Sequence, residues 1–379
     1  MNQAGFVPPA YPYDRLGELH EVAARHDGGA VDLSIGTPND APPALVLEAL
    51  ASSETERSYP PSIGTPAMRE AASGWFERRL GVTVGTAHIA ACVGTKEFVA
   101  GLPHWLKLRT PSRDTVLYPE VSYPSYEMGA TLARCRAVPV PTDSDFRLDL
   151  DAVDPADAER ALCLWVNTPG NPAGGLDDLG AVAGWGRAHG VPVFSDECYV
   201  EFTWSGRPSV QGMPPGRTIL EHGTEGVVAV QSLSKRSNLA GVRVGFYAGD
   251  EDLIGYLSEV RKHAGFMVPG PAQAAAVAAL GDQDHVEAQR GRYLARLGEM
   301  RRILGSMDTP AEIPDGGFYL WVAAPDGDAW ALARRLASEV GVVASPGEFY
   351  GEAASGFLRL AMVQPDSALE LVAARAAAA

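Results

Sequence analysis

From about residue 90 to residue 250 the sequence alternates between apolar runs of strand length and helical stretches, and this alternation narrows the fold more than any other feature. The runs TVLYP, RAVPV, ALCLWV, VPVF, VVAVQSL and VRVGFYAG are separated by stretches such as SYEMGATLARC and LDDLGAVAGWGRAHG. Runs that stay apolar, instead of alternating with polar residues, suit strands covered on both faces. A mostly parallel sheet between two layers of helices is therefore the expected α/β architecture. Ligands of such sheets bind at the carboxyl ends of the strands, so the residues found there are the first candidates for a site.

After MVPGPAQAAAVAAL the pattern changes. Residues 284–306 read as one long charged helix, and GGFYLWVAA and GFLRLAMV read as strands of a smaller α+β unit around the helix DAWALARRLASEVG. The Pro-rich first 40 or so residues are expected to pack onto that unit. This gives a large domain of residues 45–283 and a small domain of residues 1–44 and 284–379. A chain of 379 residues is long enough to bury two such cores.

Lys and Arg number 31 against 47 Asp and Glu, a net charge of -16. Such a surface repels nucleic acid and anionic membrane, so neither is an expected partner, and an anionic ligand must be captured by a local group of cations. Cys92, Cys135, Cys163 and Cys198 form no CxxC pair and sit in or near apolar stretches, as reduced core residues do; no metal site is expected. The opening MNQAGFVPPAYPYDRLGELH lacks a basic region followed by an apolar run, and no run approaches a membrane span. The expected location is the cytoplasm.

Four features stand at the ends of the apolar runs. In VGTKE, residues 93–97, Gly94 lets the backbone approach a ligand, and the N–H groups of Thr95 and Lys96 would point out of a helix N-terminus. Alone, this is also what an ordinary turn looks like. NTPGNPAGG, residues 167–175, marks a turn that Asn171 could simply cap. In VFSDECYV, residues 193–200, Asp196 and Glu197 end a buried strand, where carboxylates are costly unless paired. SLSKRSNLAGVRVGF, residues 232–246, holds Lys235 and Arg243 between two buried strands, and a lysine so placed is a candidate for an altered pKa and covalent chemistry.

Taken in order, G-T-K-E, N-P-x-G, D-E-x-Y and S-x-S-K-x-x-x-x-A-G-x-R-x-G resemble the large-domain signature of the class I/II aminotransferases of pyridoxal-phosphate fold type I. LSIGTP near the start, YPPSIGTPAMREA at 59–71, PEVSYPSY at 119–126 and FLRLAM at 357–362 extend the resemblance over nearly the whole chain. It implies a large domain with a mostly parallel seven-stranded sheet, a smaller α+β domain, and pyridoxal 5'-phosphate as cofactor. By the same resemblance Lys235 would hold the cofactor aldehyde and then shuttle the substrate proton. Asp196 would keep the ring nitrogen protonated, Tyr199 and Asn171 would donate to the ring oxygen, and Tyr123 would stack on the ring. Arg243, Ser232 and Ser234 would bind the phosphate together with the Gly94, Thr95 and Lys96 region. Tyr59 would reach across a homodimer to the neighbour's phosphate. Arg359 would grip the substrate α-carboxylate, with Asn171 and the backbone of Gly36 close to the substrate. Two departures from the common pattern touch the phosphate cup: Ala173 stands where threonine is usual in NPxG, and Lys96 where many relatives carry a small residue.

Within the family, IGTP, GTKE, PEVSYPSY, SDECYV, QSLSK, RKHAGFMVPGP and GEFYG resemble the N-succinyl-diaminopimelate aminotransferases of lysine and cell-wall biosynthesis. That likeness implies L-glutamate as donor and N-succinyl-2-amino-6-ketopimelate as acceptor. Lys262 and His263 are then candidates for the distal carboxylate, although a Lys-His pair at a helix end also reads as a plain C-terminal charge. Other readings on the same scaffold are an aminotransferase of a specialised pathway and a lyase or synthase, since fold and cofactor do not settle reaction type. Keto acid formed only in step with an amine acceptor would separate transfer from the latter. A cofactor-binding regulator would need a basic DNA-binding segment, and the short Pro-rich N-terminus offers none.

Overall fold

The apolar runs become strands of one seven-stranded sheet: β1 (Ile89–Cys92), β2 (Thr115–Pro119), β3 (Arg136–Val140), β4 (Ala161–Asn167), β5 (Val193–Asp196), β6 (Val227–Ser232) and β7 (Gly245–Gly249). The computed structural model describes residues 6–52, 54–55, 57–205 and 216–378. Across the sheet the order is β1-β7-β6-β5-β4-β2-β3. Only β7 runs against its neighbours, pairing antiparallel with β1 and with β6. The other pairings are parallel, as expected of a mostly parallel sheet.

Both faces of the sheet are buried, which explains the lack of alternation in its strands. In β4, Leu164 and Val166 pack into one apolar cluster and Cys163 and Trp165 into another. Helices α1 (Thr95–Arg109), α2 (Ser125–Leu132) and α3 (Leu179–His189) follow the strands. The boundaries of α3 are local chemistry: the Asp178 side chain accepts from the Ala181 N–H at its start, and Gly190 takes a left-handed φ of 59° at its end. The register puts Asn167 beside Asp196 and Asp196 beside Val230, two residues before the end of β6, so the carboxyl ends of β4, β5 and β6 meet along one edge. There Ser232 caps the one-turn helix α4 (Leu233–Arg236), its hydroxyl accepting from the Ser234 N–H at 3.1 Å.

Beyond α5 (Glu251–His263), the long charged stretch forms α6 (Asp284–Ser306), the helix read from the sequence. Strands β8 (Tyr319–Ala323), β9 (Ser345–Pro346) and β10 (Phe357–Ala361) make a second, antiparallel sheet ordered β9-β10-β8. It packs with α7 (Ala329–Val340) and with Leu16, Leu19, Ala23, Val31 and Leu33 of the N-terminal segment in a separate apolar cluster. Among the described residues no helix is long and apolar enough to cross a membrane, and all four cysteines are free.

Candidate active site

A cavity of about 460 Å³ opens over the carboxyl edge of the large sheet, within the size range of small-molecule sites. It brings together Gly36, Thr95, Lys96, Tyr123, Asn171, Asp196, Tyr199, Ser232, Ser234, Lys235, Arg243 and Arg359, twelve residues drawn from segments more than 300 positions apart. Gly94 stands just behind: at φ 76° it caps α1, and a Cβ there would collide with the Arg243 guanidinium. Tyr59 lies outside the cavity and is 93% exposed. Lys262 and His263 do not line it either. They end α5, with Lys262 largely exposed and 3.5 Å from Glu259, so the plain helix-terminal reading describes their place in this chain.

The electrostatics of the cavity follow from burial. Lys235 projects from α4, and its amine donates to the Gly36 carbonyl. Burial lowers its pKa to about 8, with the Arg359 and Arg243 cations adding to the effect. Asp196, at the end of β5, receives Oδ2 and Oδ1 bonds from the Tyr126 hydroxyl (2.9 Å) and the Cys198 N–H (3.2 Å). Burial raises its pKa, opposed by these hydrogen bonds and by the nearby Lys235 charge. Tyr199 and Tyr319 share a hydroxyl–hydroxyl bond of 2.8 Å. Arg359 is 2% exposed, donates to Asn171 Oδ1 (2.7 Å) and the Ser34 carbonyl (2.6 Å), and lies between the rings of Tyr319 and Tyr350. Lys96 Nζ stands 5.7 Å from the Tyr11 ring centre and 5.8 Å from that of Tyr123.

Sequence reading missed Tyr11, Tyr13, Tyr126, Asn167, Cys198 and Tyr319 on the cavity wall. It also missed the ion cluster that anchors the lysine turn. Glu201 is buried among Arg79 (2.8 Å), Arg236 (3.0 Å) and the Trp75 indole (2.8 Å), and Arg236 directly follows Lys235. Glu201 lies inside the apolar stretch YVEFTW, but Arg236 is flanked by polar residues and their pairing spans 35 residues.

Residues 29–375 match the family model of the class I and II aminotransferases. The chain belongs to that family. This aminotransferase is 41% identical over 370 residues to the 4-dedimethylamino-4-oxo-anhydrotetracycline transaminase OxyQ of Streptomyces rimosus, covering 97% of this chain and 98% of that one. It is 31% identical over 390 residues to the LL-diaminopimelate aminotransferase of Gloeobacter violaceus, covering 98% and 96%. Among solved structures, the probable N-succinyldiaminopimelate aminotransferase of Thermus thermophilus superposes with a TM-score of 0.82 at 31% identity, over 97% of this chain and 100% of that one.

Aminotransferases of this family use pyridoxal 5'-phosphate, and the cavity suits that group. A phosphate dianion calls for hydroxyls, a guanidinium and a helix N-terminus, and Thr95, Ser232, Ser234, Arg243 and the start of α1 supply them on one wall. An aldehyde calls for a neutral amine, and burial makes the neutral form of Lys235 far more accessible near physiological pH than that of an exposed lysine. Because Gly94 sits against Arg243, Gly94→Ala tests the phosphate wall. A side chain at φ 76° and ψ 153°, a backbone region essentially confined to glycine, is expected to cost the fold about 1–3 kcal/mol. Displacement of the guanidinium is expected to weaken cofactor binding about tenfold in a fluorescence titration of the apo-protein.

Proposed function

We propose that this aminotransferase takes its amino group from L-glutamate and passes it to a keto acid, with Lys235 as the proton shuttle. The reading rests above all on Arg359. It is a buried cation facing the cavity with no carboxylate in ion-pair range among the described residues, as a receptor for an α-carboxylate would be. When bound, pyridoxal 5'-phosphate supplies an aldehyde that captures the amine and a ring that takes up the electron pair left when the Cα–H bond breaks. Lys235 would take the substrate Cα proton on its amine and hold it for return to the carbon that had been the cofactor's aldehyde. Asp196 would hold a proton on the ring nitrogen, while Tyr199 and Asn171 would donate to the ring oxygen and Tyr123 would cover the ring face. Arg359 fixes the carboxylate, so the Cα–H bond faces the lysine amine. Ser232, Ser234, Arg243 and the Gly94–Lys96 turn hold the phosphate, with Tyr59 lent by a second copy. The exposure of Tyr59 and the typically dimeric habit of this family support that last role.

The two apolar clusters support closure of a small unit, residues 1–44 and 284–379, over a large one, residues 45–283. The first draws on residues 46–280, and the second on residues 16–33 and 297–372. Closure of that kind would keep water from the reacting Cα.

For the acceptor, the sequence likeness and the Thermus thermophilus structure support N-succinyl-2-amino-6-ketopimelate. The higher identity to a transaminase named for a tetracycline intermediate favours a second reading, a carbonyl compound of a specialised pathway. One spectroscopic series tests both levels. L-Glutamate added without acceptor is expected to convert the visible band of the bound cofactor to the near-ultraviolet band of its aminated form. A band that glutamate leaves unmoved would refute the donor. N-Succinyl-2-amino-6-ketopimelate is then expected to restore the visible band faster than simple analogues of 2-oxoglutarate do, and equal rates would point to the specialised acceptor.

A further inference from the structure

Tyr319 touches both ends of the proposed chemistry without having been assigned any part in it. It projects from β8, is 2% exposed, and lines the cavity. Its hydroxyl lies 2.8 Å from that of Tyr199, and its ring centre 4.2 Å from the guanidinium carbon of Arg359. A Cβ on Gly36 would collide with the Tyr319 hydroxyl, so the bare glycine backbone leaves just enough room for it. Among the described residues, the hydrogen bond recorded for each of these two hydroxyls is the one to the other. Burial keeps both phenols protonated, raising Tyr319 to about 12 and Tyr199 well above its usual value.

We propose that Tyr319 is a positioning residue that directs the Tyr199 proton into the cavity and strengthens it as a donor. The inference rests on the reading of Tyr199 as a donor to the cofactor ring oxygen. Each phenol has one proton. Once Tyr199 gives its own to an acceptor in the cavity, the 2.8 Å contact remains a hydrogen bond only if Tyr319 donates to the Tyr199 oxygen. The two bonds then point the same way, and such chains polarise one another. The Arg359 cation on the Tyr319 ring face draws electron density from the phenol and makes it the better donor of the pair. A carboxylate arriving at Arg359 would offset that charge, so the strength of Tyr199 becomes coupled to substrate binding.

Tyr319→Phe removes one oxygen and keeps the ring against Arg359, so the variant is expected to fold. The experiment is a pH titration of the visible cofactor band in the holo-protein, for the wild type, Tyr319→Phe, Tyr199→Phe and the double variant. Weaker donation to the ring oxygen leaves the neighbouring nitrogen more basic. The midpoint is therefore expected to rise by about 0.5–1 unit in Tyr319→Phe. In the Tyr199→Phe background the same change is expected to add almost nothing, because the residue through which Tyr319 acts is already gone. A purely structural role would add in full in both backgrounds. An unchanged midpoint in Tyr319→Phe, or full additivity in the double variant, overturns the proposal. If the wild type forms no visible band with added pyridoxal 5'-phosphate, the cofactor role of Lys235 falls first, and the proposal falls with it.

Discussion

Lys235→Ala is expected to abolish the visible cofactor band and to cut turnover by about 10⁴-fold, the upper end of what a positioned general base supplies. The geometry behind this is specific. The Lys235 amine lines the cavity, donates to the Gly36 carbonyl, and lies in the field of the Arg359 and Arg243 cations. Its pKa of about 8 leaves about a quarter of the molecules with a neutral amine at pH 7.5, against about one in a thousand for an exposed lysine. Only the neutral amine attacks an aldehyde. Capture of added cofactor by the apo-protein is thus expected to quicken about tenfold per pH unit below pH 8 and to level off above it, as read by stopped-flow absorbance. The alanine variant should still fold, since the Glu201, Arg79 and Arg236 cluster that anchors the turn does not involve the lysine. Cofactor should then bind through the phosphate wall alone, reversibly and without the visible band. A variant that kept the band would place the covalent anchor elsewhere.

How far the sequence carries depends on the range of each interaction. The strands of the large sheet were legible because burial on both faces makes each a continuous apolar run, a property that needs no knowledge of neighbours. The reversed direction of β7 was not, since an apolar run reads the same whichever way its strand lies in the sheet. Lys235 and Asp196 stood out as ionisable residues at the ends of apolar runs, where burial without a partner is costly. Tyr126, 70 residues from the Asp196 it contacts, and Tyr319, 120 residues from Tyr199, looked like ordinary core aromatics until the fold brought their hydroxyls to those partners. Lys262 and His263 lie outside the cavity wall of this chain. A cation at a helix end satisfies the helix dipole by itself, so its presence is no evidence of a ligand.

Arg359→Lys keeps the charge and still is expected to lower kcat/KM for L-glutamate by about 10²–10³-fold, mainly through KM. The guanidinium is fixed on several sides. Nη1 donates to Asn171 and Nη2 to the Ser34 carbonyl, while the Tyr319 and Tyr350 rings lie 4.2 and 4.6 Å from its centre. Its Nε is buried and has no hydrogen-bond partner among the described residues, so part of the cost of desolvating the cation is left uncompensated. A buried cation held by neutral groups keeps most of its desolvation penalty, and an arriving carboxylate relieves it. An ammonium on a flexible stem cannot make the Asn171 and Ser34 bonds and also present a fork to a carboxylate. Each charge-assisted bond lost is worth about 1.5–3 kcal/mol, so loss of one to two of them spans about 10- to 10⁴-fold, and the expected effect lies in the middle of that span. Because the substitution also disturbs the Asn171 contact, the deciding readout is a ratio within one protein. The wild type is expected to prefer L-glutamate strongly over 4-aminobutyrate, which has the amine and the distal carboxylate but no α-carboxylate, and the lysine variant is expected to lose most of that preference. General damage to the site would slow both donors alike and leave the ratio standing, in which case the α-carboxylate is held by another group.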